Sequence, residues 1–210
     1  MDTGSKDNAA AETVQILTTT HFALQTARSS TVFESTGRAT VFLTTVSTSL
    51  IALGFIAQAT SLSEAFYLFT YLFLGTLAFI GWVTFQRLVQ TNVEDMIWAS
   101  GIVRVVRSYM VRYPEMKSLF ALRPGEDESS LFDVYGDRVP PLLLTTTASM
   151  VGVVTSVVLG VLAGVASFRV AGLARSMSLA AGIVVFAASE SLHLRWERRR
   201  WMGWYRRIRK

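Results

Sequence analysis

Four long stretches of this chain carry no Asp, Glu, Lys or Arg: Ala39–Ser63, Ala65–Gln86, Val139–Phe168 and Ser176–Ser189. That pattern constrains the fold more than any other feature. A helix needs about 20 apolar residues to cross the hydrocarbon core of a bilayer. In lipid the backbone must satisfy its own hydrogen bonds, so such segments fold as helices. The first three stretches are long enough. The fourth has a 14-residue core, Ser176 to Ser189. To cross, it must extend to Val170–Arg195 and take in Arg175 and Glu190; a re-entrant or interfacial segment is the alternative.

The expected fold is therefore all-α: a polytopic membrane protein with four transmembrane helices, arranged as two antiparallel hairpins with cytoplasmic helical extensions. Residues 1–38 are read as an N-terminal cytoplasmic helix, and residues 39–86 as the first transmembrane hairpin. Residues 87–138 follow as a cytoplasmic helix and acidic loop, 139–195 as the second hairpin, and 196–210 as a basic-aromatic interfacial tail. Charged residues make up 17% of the chain, against about 25% in an ordinary soluble domain. The chain has no cysteine, which excludes disulfides, thiolate metal sites and thiol nucleophiles.

Orientation follows from Lys and Arg, which are retained on the cytoplasmic side. Eighteen of the 20 lie in residues 1–38, in 87–138 or from Arg195 onward; only Arg169 and Arg175 lie elsewhere. The expectation is a multi-pass protein of the plasma (inner) membrane with both termini in the cytoplasm. The first 38 residues lack a short apolar core followed by a small-residue cleavage site, so the first span is read as retained.

Both extensions carry helical spacing. In residues 8–38, Ala10, Val14, Leu17, His21 and Leu24 share one face. Glu34 and Arg38 stand four apart and can pair. In residues 87–113, Val89, Val93, Met96, Ile97, Val103, Val106 and Met110 form an apolar face, and Pro114 ends the pattern. Glu126, Asp127, Glu128, Asp133 and Asp137 lack the spacing of a calcium loop and read as solvated charge. A short helix fits within Ser129–Tyr135.

Four groups of residues stand out. In the third span Ala148, Gly152, Ser156, Gly160 and Gly164 recur every four residues. Small residues at that spacing let helices approach closely. An internal contact, with Ser178 and Gly182 as complement, is preferred to a subunit interface. In the first span Thr40, Thr44, Ser47, Thr48 and Gln58 form a polar line. It reads as helix packing first and as a pore wall second, because hydroxyls satisfy themselves on the preceding turn.

Glu190 is an ionisable residue inside a span, which by default marks function. Arg38 and Arg87, at the cytoplasmic ends of the first two spans, are its candidate partners in an intramembrane charge site. Glu190-x-x-His193 matches half of a di-iron helical motif but has no second half, so no metal is expected. In the tail Trp201, Trp204, Tyr205 and Ile208 share one helix face, flanked by Arg198, Arg199, Arg200, Arg206 and Arg207. That pattern fits a helix lying on anionic lipid better than one on nucleic acid.

No phosphate loop, zinc-protease motif or nucleophile elbow occurs. The expectation is a non-enzymatic, cofactor-free, self-associating membrane component with a structural or regulatory role. Its partners would be lipid, a homo-oligomer and a cytoplasmic protein. The alternative is a subunit of an oligomeric channel or transporter whose first span lines a polar path.

Overall fold

The computed structural model describes residues 3–119 and 145–208. It contains α1 (Thr3–Thr60), α2 (Glu64–Arg112), a 3-10 helix (Pro114–Leu119), α3 (Thr147–Arg169) and α4 (Arg175–Ile208). The described residues are all-helical, and the four α-helices are each long and apolar enough to cross a membrane. The acidic loop, the short helix within Ser129–Tyr135 and the start of the third charge-free stretch lie outside the described residues.

The connections follow from local chemistry. α1 has 58 residues, about 87 Å at 1.5 Å per residue. It stops where Ser61 and Leu62 turn left-handed, at φ 48° and 57°. Tyr113 is the last residue before Pro114, which disfavours helical angles at its predecessor and ends α2. Thr146 caps α3 by accepting the Ser149 N–H at 3.0 Å. Gly172, at φ +65°, makes the left-handed turn between α3 and α4 that a side chain would strain. α4 is one unbroken helix of 34 residues. The weak fourth stretch therefore neither reverses nor breaks before the basic tail.

Phe42 of α1, Phe85, Leu88 and Val89 of α2, and Val151 of α3 are almost completely buried. On α1 the inward positions are Thr31, Ser35, Ala39, Phe42, Val46, Ser49 and Leu53, every third or fourth residue. α1, α2 and α3 meet at Gly81. A β-carbon there would run into Thr155 Oγ1 and lie 2.8 Å from Phe42 Cζ. The outward faces are apolar: Leu72, Phe79, Leu179 and Val184 are 74%, 66%, 66% and 65% exposed. Water would not favour such faces; hydrocarbon tolerates them.

Beyond the charge-free stretches α1 and α2 stay in contact. The Leu24 side chain lies over Gly101, where a β-carbon would be 3.1 Å from Leu24 Cδ2. Thr18 Oγ1 and Tyr109 Oη are 2.9 Å apart. Arg28 Nε donates to Asp95 Oδ1 at 3.0 Å.

Candidate functional site

α4 lies against the small-residue stripe of α3. A β-carbon on Gly160 would sit 2.9 Å from the Gly182 carbonyl oxygen, and one on Gly182 would sit 2.7 Å from that of Gly160. One on Gly164 would reach the Ser178 carbonyl oxygen at 3.3 Å. Gly152 faces two helices, with the Phe85 ring 3.4 Å and His193 Cβ 3.5 Å from a β-carbon built there. Ala148 is fully buried.

The close approach turns one face of α4 inward, and that face is polar. Glu190, His193 and Glu197 are spaced three and four apart, so they share it. Ser149 and Ser156, two turns apart on α3, meet them. Ser149 Oγ donates to Glu197 Oε2 at 2.8 Å, and Thr146 Oγ1 donates to Glu197 Oε1 at 2.9 Å. Ser156 Oγ lies 3.1 Å from Glu190 Oε2, 3.0 Å from His193 Nδ1 and 3.0 Å from Ser189 Oγ. Glu197 is 0% exposed and His193 3%. The His193 ring meets Phe85 edge-on at 4.5 Å between centroids and Trp82 at 5.4 Å. Glu190 Oε1 and His193 Nε2 are buried and have no hydrogen-bond partner among the described residues.

Hydroxyls of Thr146, Ser149 and Ser156 bond these two carboxylates; among the described residues neither carboxylate forms an ion pair with Lys or Arg. Burying an ionised carboxylate without a counter-charge is expensive, which makes the row the candidate site. The described residues hold no group of three or more His, Asp or Glu arranged to bind a metal.

The structure corrects the proposed pairing of Glu190 with Arg38 or Arg87. Both arginines bind Glu34 instead. Arg87 grips it with two bonds, Nε to Oε1 at 2.8 Å and Nη2 to Oε2 at 2.9 Å, and Nη1 reaches Glu94 at 3.2 Å. Arg38 Nε donates to Glu34 Oε1 at 2.8 Å. The reason is helix order: Arg38 and Glu34 share α1, Arg87 lies on the neighbouring α2, and Glu190 faces α3 from α4. The hydrogen bond from Arg87, then that from Arg38, hold the Glu34 carboxyl at a pKa of about 2.

The tail also differs from a helix lying flat on lipid. Its aromatic face turns inward: Trp204 is 8% exposed and Trp201 is half-buried, while Arg198, Arg199 and Arg200 are exposed. Because α4 continues without a break, Trp201 and Trp204 continue the inward face of His193 and Glu197. Arg200 lies over the Trp196 ring at 4.6 Å. The side chains of Arg206 and Arg207 lie outside the described ones.

Thr40, Thr44, Ser47, Thr48 and Gln58 are all exposed on the face of α1 turned away from the core. Among the described residues they border none of the grooves lined by α1, α2, α3 and α4.

Reading the sequence missed Glu197, its donors Ser149 and Thr146, and Ser189. The signal was present in the spacing of Glu190, His193 and Glu197. It became visible only once the helix was known to run past Arg195. No family model, curated protein or solved structure matches this chain.

Proposed function

We propose that the protein is a multi-pass membrane component, structural or regulatory in role, that self-associates through the outward face of α1. The observation that carries this reading is the state of five polar side chains. Thr40, Thr44, Ser47, Thr48 and Gln58 are exposed along a charge-free span and have no side-chain hydrogen bond among the described residues. Thr45 beside them does bond back, to the Val41 carbonyl at 2.8 Å. In hydrocarbon, polar groups without a partner favour association with a helix that offers one. A second copy presents the same face, and a two-fold pairing makes it self-complementary.

The topology that goes with this reading is two antiparallel hairpins, α1 with α2 and α3 with α4, and both termini in the cytoplasm. The placement of Lys and Arg supports it. The paired extensions of α1 and α2 then form an arm suited to a cytoplasmic protein partner. Exposed Arg198, Arg199 and Arg200 suit anionic lipid headgroups. A second reading, an oligomeric channel or transporter subunit, uses the same polar line. Since one chain does not enclose that line, only several copies would form a path.

The absence of cysteine makes the test direct. Thr44→Cys and Thr48→Cys in liposomes are expected to form disulfide-linked dimers on oxidation. Leu179→Cys, on an outward face of α4, is not. Equal cross-linking at all three positions, or none at Thr44 and Thr48, overturns the reading. Ion flux through the same liposomes would favour the channel form of it.

A further inference from the structure

The hydrogen atoms in the row between α3 and α4 can be counted. A hydroxyl has one hydrogen to donate and two lone pairs to accept with. Ser156 Oγ has three partners: Glu190 Oε2, His193 Nδ1 and Ser189 Oγ. An ionised Glu190 can only accept, so it takes the Ser156 hydrogen. With that hydrogen committed, the contact with His193 requires Nδ1–H to donate to Ser156 Oγ. This fixes the neutral His193 ring with its hydrogen on Nδ1 and leaves a bare lone pair on Nε2, the nitrogen that has no partner.

We infer that Glu190, Ser156 and His193 together form an intramembrane proton-binding site, in which a proton arriving at His193 Nε2 is stored on Glu190. The proton bonds to Nε2. The Nδ1 hydrogen passes to Ser156 Oγ, and the original Ser156 hydrogen passes to Glu190 Oε2. One proton has entered, His193 ends neutral with its hydrogen on Nε2, and the carboxylate has become a carboxylic acid. The contacts among Glu190, Ser156 and His193 persist with donor and acceptor exchanged. No heavy atom has to move far, so the two states differ mainly in charge.

The surroundings favour uptake. Among the described residues Glu190 Oε1 is buried without a donor, and no cation pairs with the carboxylate. Facing the row, α2 presents Phe85 and Trp82, and α3 presents Ser149, Gly152, Thr155 and Ser156. Among the described residues the other titratable group on this face is Glu197, seven residues further along α4. His193, 3% exposed, also borders a groove lined by Trp82, Leu159 and Leu192. The inference stands apart from self-association and does not depend on it.

The test is nitrogen NMR of the full chain in liposomes with 15N-labelled histidine. The chain has two histidines, and His21→Gln identifies the signal of His193. As pH falls, His193 is expected to exchange its hydrogen completely from Nδ1 to Nε2 while the ring stays neutral. Ser156→Ala, which keeps both titratable groups but removes the link, is expected to abolish the exchange. In Glu190→Gln, His193 is expected to keep one neutral form until it becomes imidazolium. The inference is overturned if the parent keeps its hydrogen on Nδ1 until imidazolium forms. It is also overturned if the exchange persists unchanged in either variant. The parent measurement stands alone should a variant fail to fold.

Discussion

Replacing Gly160 or Gly182 with alanine tests the contact on which the α3–α4 arrangement turns. A β-carbon at Gly160 would lie 2.9 Å from a backbone oxygen and one at Gly182 2.7 Å, where ordinary contact begins at 3.4 Å. The shortfalls are about 0.5 and 0.7 Å, and the obstacle is main chain, which cannot rotate aside as a side chain would. The helices must therefore part. Overpacking of this kind costs about 1–3 kcal/mol. At about 2–4 °C per kcal/mol for a chain of this size, either variant should lose about 2–12 °C in a thermal unfolding scan in detergent. The double variant should lose less than the sum, because the first substitution has already separated the helices. Val161→Leu is the control, since Val161 is half exposed. Equal losses for Gly160→Ala and Val161→Leu, or strict additivity of the two glycine variants, would refute the reasoning.

Gly81→Ala should cost about 1–3 kcal/mol by driving a methyl into Thr155 and Phe42, whereas Gly75→Ala, with nothing within 4 Å of its β-carbon, should be tolerated in the same scan. Glu34 has its pKa lowered from 4.5 to about 2 in the folded chain, so its ion pairs stabilise fully above pH 4.5 and are lost as pH falls toward 2. The melting-temperature gap between the parent and Glu34→Gln should narrow across that window; a gap independent of pH would show that Glu34 pairs no more strongly than any surface carboxylate. Thr146→Ala removes both the cap of α3 and a donor to buried Glu197 and should cost about 1–2 kcal/mol from the cap alone, measured by the same melting. Reporters fused at residues 1, 125 and 210 should all read cytoplasmic; a reporter outside at 210 with one inside at 125 would mean that α4 does not cross.

The sequence by itself determined the helical class. Charge-free stretches as long as a span leave the backbone one economical solution, and that is a local property of composition. The boundaries were local too: Pro114 stops α2, and Thr146 caps α3 through its own side chain. Glu34 and Arg38 pair because helical geometry places residues four apart side by side. What the sequence left open was rotation and neighbourhood. Glu190 was legible as an unusual charge, but its surroundings were not, because spacing along one helix does not say which helix it faces. The tertiary structure decided this through the glycines. Once Gly182 sits on Gly160, the inward face of α4 is fixed, and it runs through Glu190, His193, Glu197, Trp201 and Trp204. That single rotation buries Glu197 against Ser149, turns Trp204 inward, and removes Glu190 from the arginines that Glu34 has already taken. It is a sum over contacts far apart in the chain, so no window of residues contains it.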